Sequence, residues 1–130
     1  MGDINLRAKI DNLDERVSKV EEKIINPERS VATLTIPSDV TYTSSNTHDA
    51  IKSLGIVNIR YQIIGYVGTG NYQTIGTLPN DYKLKAEVLK RICVAGNLFG
   101  YLRVKTNGEI QISIDSGTNT SLYINEVFLI

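Results

Sequence analysis

Residues 101–114 read Tyr101-Leu102-Arg103-Val104-Lys105-Thr106-Asn107-Gly108-Glu109-Ile110-Gln111-Ile112-Ser113-Ile114, and the fold turns on how this stretch is read. Leu102 and Val104 alternate with Tyr101, Arg103 and Lys105 before the Asn-Gly pair. Ile110, Ile112 and Ile114 alternate with Glu109, Gln111 and Ser113 after it. A period of two sends successive side chains to opposite faces of a strand, and Asn-Gly between two such runs marks a tight reversal. The segment therefore predicts an antiparallel hairpin with one apolar face, which needs a second layer to cover it.

The same period recurs on both sides. Val57, Ile59, Tyr61 and Ile63 alternate with Asn58, Arg60 and Gln62, giving a strand with one dry face. Gly65 to Gln73 reads as a glycine-rich loop, and Thr74 to Leu78 as a short strand stopped by Pro79. Val31 to Ile36 alternates before Pro37-Ser38-Asp39 breaks it, Val40 to Thr43 suits a short edge strand, and Ser44 to Asp49 reads as a polar loop. Downstream, Ser116 to Ser121 turns the chain, and Leu122 to Ile130 closes it with a phase slip near Asn125-Glu126 that predicts a bulge. Leu84, Val88, Leu89 and Ile92 fit a helix, whereas Leu84, Ala86, Val88, Ile92 and Val94 fit one face of a strand interrupted by Lys90. Strands on both sides favour the strand. The sum is a mainly β fold, an antiparallel β-sandwich or jelly-roll-like head over residues 38–130, joined through a linker and first strand at 27–37.

Residues 1–26 follow a different rule. Leu6, Ile10, Leu13, Val17, Val20 and Ile24 are spaced alternately four and three apart, the narrow seam of a coiled-coil stalk. Asp3 suits the N-cap, and Asn26-Pro27 ends the helix. With Ile10, Val17 and Ile24 at a, the g residues Lys9 and Arg16 meet the e residues Asp14 and Glu21 of a parallel neighbour. Each exposed pair contributes about 0.5 kcal/mol, enough to bias register but not to hold chains together. The heptads leave two strands and three strands both open.

Composition removes several classes. The 130 residues carry 14 basic and 14 acidic side chains, so polyphosphate binding has no electrostatic footprint and nucleic acid is not an expected partner. Cys93 is the only cysteine, which excludes an intrachain disulfide. No apolar run reaches the roughly 20 residues of a membrane span, and no signal peptide is read in the polar N-terminus, so synthesis in a reducing cytoplasm is expected. No metal or cofactor is expected. His48-Asp49 lacks further ligands, and Gly68-Thr69-Gly70 spells a dinucleotide fingerprint without the helix that would use it. Asn119-Thr120-Ser121 is a chance sequon. Cys93, in an apolar stretch, reads as a small core side chain.

Three blocks carry a resemblance: Gly55-Ile56-Val57-Asn58-Ile59-Arg60, then Thr74-Ile75-Gly76-Thr77-Leu78-Pro79-Asn80-Asp81-Tyr82-Lys83, then Leu102 to Ile110. Together they resemble the C-terminal head domain of tailed-phage fibre, baseplate and receptor-binding proteins from Gram-positive hosts, over roughly residues 50 to 130. Leu84 stands where that pattern commonly has a second proline. The resemblance implies a homotrimer with parallel stalk helices, at the tail tip or baseplate of a virion, contacting other tail proteins through its N-terminal end and binding host cell-surface saccharides with its heads.

Sugar recognition asks for an apolar ring face and planar amide or carboxylate partners on rigid turns. Tyr66, Asn71 and Tyr72 in the glycine-rich loop, Asn97 and Phe99 around Gly96 to Gly100, and Asp115 with Asn119 are the candidates. Each also fits a bland role as turn former or rim aromatic. Tyr82, after Leu-Pro, is expected to pack on the sheet with its hydroxyl at the rim. The chain is not expected to be an enzyme, since Asp81, Glu87, Glu109, Asp115 and Glu126 show no pairing of the kind glycan cleavage requires. The alternative to a receptor-binding head is a purely structural trimerisation or connector module.

Overall fold

Alternation in the sequence becomes alternation across two sheets. The computed structural model describes residues 29–130, and the calls made on residues 1–26, the stalk and its seam, lie outside them. Eight strands follow in order: β1 (Arg29–Thr33), β2 (Ser44–Ser53), β3 (Ile56–Val67), β4 (Gln73–Thr77), β5 (Val88–Ala95), β6 (Leu98–Val104), β7 (Glu109–Ser113) and β8 (Asn119–Leu129), with a 3-10 turn at Asn80–Tyr82. They form two four-stranded antiparallel sheets, ordered β1-β2-β3-β8 and β4-β7-β6-β5. In the second sheet β5, β6 and β7 are consecutive neighbours and β4 returns beside β7, a Greek-key arrangement. The mainly β expectation holds.

One core lies between the sheets. Val57, Ile59, Tyr61 and Ile63 of β3 share a buried cluster with Leu102 and Val104 of β6 and Ile110 and Ile112 of β7, the four dry positions and the two hairpin arms read above. Tyr61 spans the layers, its hydroxyl donating to the Ile75 carbonyl at 3.2 Å. Gly76 makes this possible, because a Cβ there would fall on the Tyr61 hydroxyl. Tyr82 is buried and its hydroxyl meets Ser30 Oγ at 2.5 Å, the rim position expected for it.

The Asn-Gly reversal sits where it was read, with its own geometry. Val104 lies opposite Ile110, Gly108 N–H donates to the Lys105 carbonyl at 3.0 Å, and Lys105 N–H donates to the Glu109 carbonyl at 3.0 Å. Gly108 has φ +95, while Leu54 is the one non-glycine residue with positive φ among the described residues. The loop is therefore Thr106-Asn107-Gly108 with only glycine left-handed, a turn followed by a bulge. Asn107 Oδ1 accepts the Glu109 N–H at 3.0 Å and fixes it.

Five expectations change. Val40 to Thr43 forms no edge strand and lies in the β1–β2 connection. Ser44 to Asp49 is not a loop but the first part of β2, paired with β3 around a bulge between Ser45 and Thr47. Asp49 at its end is held across the sheet surface: Arg60 Nε and Nη2 each donate to the Asp49 carboxylate at 2.7 Å, and this ion pair raises the Arg60 pKa. Gly65 to Gln73 is not wholly a loop, since β3 runs to Val67. The predicted slip at Asn125-Glu126 does not occur, because β8 pairs with β3 without interruption from Leu129↔Ile56 to Leu122↔Ile63. Glu126 keeps the phase of Ile124 and Phe128 at the sandwich edge, where Lys90 Nζ lies 2.7 Å from its carboxylate. Cys93 is not a core residue. The segment containing it is a strand, as favoured, but Ile92 and Val94 take the inward positions and Cys93 is exposed, its Sγ 3.0 Å from the Gly96 carbonyl.

The sandwich has two distinct ends. The chain enters at Arg29, beside the β2–β3 turn at Leu54-Gly55, the Leu78 to Gly108 contact and the C-terminal strand end. The β3–β4, β5–β6 and β7–β8 connections gather at the other end.

Candidate functional site

Backbone, not side chains, assembles the distal end. Gly68 N–H donates to the Thr118 carbonyl at 2.8 Å, Gly70 N–H to Ile114 at 2.9 Å, and Gly117 N–H back to Gly68 at 3.0 Å. A Cβ at Gly68 would fall on the carbonyls of Asp115 and Ile114, so only glycine lets the two loops lie this close. The stitching brings Asn71 and Tyr72 from one loop together with Asp115 and Asn119 from the other. Asn71, Asp115 and Asn119 are exposed, and Tyr72 is half-buried. Asn97 is exposed in the β5–β6 turn, and Phe99 follows it on β6, 53% exposed.

Tyr66 does not belong to this group. The bulge between Ile63 and Tyr66 reverses the phase of β3, so that Tyr66 turns inward and is fully buried. Its hydroxyl donates to Gln73 Oε1 at 2.7 Å, and burial, with a lesser push from Asp39, raises its pKa to about 12. A ring so placed offers no face to a ligand, and Tyr66 is withdrawn from the candidates.

Beside the tip, the outer face of the second sheet holds side chains that the sequence reading passed over. Arg103 lies opposite Gln111, and Gln111 opposite Thr74, in one row across β6, β7 and β4. Gln111 is buried and holds the row together, accepting from Arg103 Nε at 2.8 Å and donating to Thr74 Oγ1 at 3.2 Å and Glu109 Oε2 at 3.1 Å. The guanidinium so fixed lies 4.1 Å from the centre of the Tyr72 ring. In the next row Arg91 is opposite Tyr101, which is 47% exposed, and the Arg91 guanidinium lies 4.8 Å from the Phe99 ring centre. Two arginine–aromatic stacks thus flank an exposed tyrosine on a rigid sheet. The hairpin register makes the Arg103–Gln111 pair readable from sequence. The stacking of Arg103 on Tyr72 requires knowing that β4 lies beside β7.

Chemically this is a binding surface, with ring faces, amides and guanidiniums. Among the described residues no group of three or more His, Cys, Asp or Glu side chains is placed to hold a metal ion. No helix there is long and apolar enough to cross a membrane.

Fold and surface together define an antiparallel β-sandwich head with a loop-built tip. No protein family and no curated protein matches the sequence. Among solved structures, the chain is similar to the receptor binding protein of Listeria phage PSA, with a TM-score of 0.59, 18% sequence identity, and 94% of this chain and 77% of that chain covered. At this identity the likeness is one of fold, described for residues 29–130.

Proposed function

We propose that this chain is the receptor-binding head of a phage or prophage tail, a homotrimer at the tail tip or baseplate that attaches the virion to host cell-wall saccharides. The observation that carries the reading is the surface made by the half-buried Tyr72 and the exposed Phe99 and Tyr101 with Asn71, Asn97, Asp115 and Asn119, at and beside the end of the sandwich away from chain entry. An aromatic face under a pyranose ring and amides against paired hydroxyls are what saccharide recognition uses. The shared fold with a phage receptor binding protein supports the tail association, the heptad seam over Leu6 to Ile24 supports parallel copies presenting their tips together, and the number three rests on the family resemblance. Binding without chemistry is part of the proposal. Asp49 faces Arg60, Asp81 faces Lys52, Glu109 faces Lys105 and Glu126 faces Lys90, so these carboxylates oppose cations rather than one another.

The test is adsorption inhibition and a cell-wall glycan array with purified full-length chain, its host sought by screening Gram-positive walls. Tyr72→Ala and Phe99→Ala are expected to weaken binding about tenfold or more each while the sheet fold persists, as loss of a stacking face does. Failure of the unaltered chain to bind any wall saccharide or to slow adsorption refutes the receptor reading and favours the structural connector module.

A further inference from the structure

The outer face of the first sheet holds a depression on the opposite side of the sandwich from the arginine–aromatic stacks. Val57, Ile59, Tyr61 and Ile63 point into the core, so Asn58, Arg60 and Gln62 of β3 point out. Strand register then sets two adjoining rows on that face: Thr47, Gln62 and Tyr123 across β2, β3 and β8, and Asp49, Arg60 and Asn125 beside them. There lies a shallow pocket of about 240 Å³ lined by Thr47, Arg60, Gln62, Tyr123 and Asn125. Tyr61 and Ile124 complete the lining, and because their side chains are buried it is their backbone that forms the floor. Two ladder irregularities adjoin it, one in β2 between Ser45 and Thr47 and one in β3 between Ile63 and Tyr66. A bulge bends its strand and sharpens the local twist, which dishes a sheet face.

We propose that this pocket binds one neutral sugar ring, a saccharide site separate from the tip. The groups present choose the ligand. Tyr123 is 52% exposed, an aromatic face carried on a strand, which offers a ring-shaped ligand contact area at small entropic cost. Thr47 and Gln62 enter side-chain hydrogen bonds only through their carbonyls, each accepting from Ser45 Oγ at 3.4 Å. The Thr47 hydroxyl and the amides of Gln62 and Asn125 therefore have no partner among the described residues, whereas Gln111 on the other sheet engages its amide with Arg103, Thr74 and Glu109. A planar amide is a donor beside an acceptor, which matches neighbouring hydroxyls. Charge excludes an anion as the better ligand: Arg60, the cation in the lining, already gives Nε and Nη2 to Asp49, and the lining holds no carboxylate. Its Nη1 hydrogens remain as donors in a neutral setting. The volume lies below the roughly 300 Å³ at which pockets for drug-sized ligands begin, which suits a single ring. The pocket stands without the receptor reading, because its side chains belong to β2, β3 and β8 and not to the glycine-rich turns of the tip.

Amide NMR spectra of the isotope-labelled full-length chain, titrated with methyl glucoside, methyl galactoside and N-acetylglucosamine, test the pocket. At least one probe is expected to move the side-chain amide signals of Gln62 and Asn125 and the backbone signal of Tyr123. Tyr123→Ala is expected to weaken that binding about tenfold or more, while Tyr123→Phe, which keeps the ring face, holds it within about threefold. No movement of these signals with any probe, or movement at an affinity that Tyr123→Ala leaves unchanged, overturns the inference. Shifts confined to Asn71, Tyr72, Asn97 and Asn119 also overturn it and leave the tip reading in place. Shifts confined to Gln62, Tyr123 and Asn125 uphold it and count against the tip. Glucuronic acid supplies the charged comparison: binding no tighter than that of methyl glucoside upholds the neutral class, and tighter binding overturns it. Gln62→Ala, with circular dichroism to show that the sheets persist, carries the same expected loss if Tyr123→Ala disturbs folding.

Discussion

Tyr61 and Gly76 form a pair in which each residue explains the other. The hydroxyl of Tyr61 occupies the volume that a side chain at position 76 would take and spends its proton on the neighbouring Ile75 carbonyl. Gly76→Ala is therefore expected to cost about 2–3 kcal/mol by overpacking. Tyr61→Phe, which gives up one buried hydrogen bond, is expected to cost about 1 kcal/mol. In the Tyr61→Phe background the clashing atom is gone, so Gly76→Ala should cost less than about 1 kcal/mol, a coupling that urea titration of the four variants reads directly. Buried phenols also set the response to base. Burial raises the pKa of Tyr61, and that of Tyr66 to about 12 from 10.0. A group whose folded pKa is raised contributes stability that is complete below its unfolded pKa and is lost as pH rises through the folded value. The urea midpoint is thus expected to fall between about pH 10 and 12, and tyrosinate absorbance should show Tyr61 and Tyr66 ionising after the exposed tyrosines. Midpoints unchanged by Tyr66→Phe across that range would remove Tyr66 as a cause. Nothing near Gly65 in the sequence announces that Tyr66 is buried, because the phase reversal comes from a bulge that depends on which strand lies alongside.

At the scale of strands, two breaks in the apolar pattern turn out to be one feature. Lys90 interrupts the inward face of β5 and Glu126 that of β8, and each reads as a defect when its strand is taken alone. The sandwich brings the two edge strands together, and the charges meet at 2.7 Å with Lys90 also 5.5 Å from the Phe128 ring centre. Both stay partly exposed, so the pair contributes at most about 1 kcal/mol. Its larger effect is on the edge, where inward-pointing charges discourage pairing with other strands. Replacing both by valine is expected to leave thermal stability within about 1 kcal/mol of the original but to promote concentration-dependent aggregation, measured by turbidity on heating. Aggregation no faster than that of the unaltered chain would show that the charges do not guard the edge. The strands themselves were legible where period two was unbroken, as in β3 and the β6–β7 hairpin. Ser44 to Asp49 was not, because serine, asparagine and aspartate favour turns and only the ladder from β3 and the Arg60 guanidinium hold them extended.

Across the whole molecule, the chain entry and the candidate surface lie at opposite ends. The chain enters at Arg29, the aromatic and amide surface lies at and beside the tip, and β3 runs the length between them. The tip was legible in part: its exposed residues fall in glycine-rich turns that the sequence marks, whereas the two arginine stacks depend on sheet order, which no local pattern encodes. The proposed trimer gives this separation a measurable consequence. Each head by itself contributes one weak contact, and three tips facing one wall convert the later contacts into intramolecular events, raising avidity by about 10² to 10⁴ without any new interaction. In the proposed trimer Val17→Asp would place a charge in an a layer of the seam in every copy, where unpaired burial costs several kcal/mol per ion. The substitution is remote from the tip in sequence, so it should leave affinity for a soluble monovalent wall saccharide, read by calorimetry, within about twofold. Retention on intact cell walls should fall by about 10² or more, because the dissociation of one head no longer leaves two others engaged. A parallel loss in both measurements would mean that the tip is completed by a neighbouring copy, and a loss in neither would leave the seam without a role in attachment.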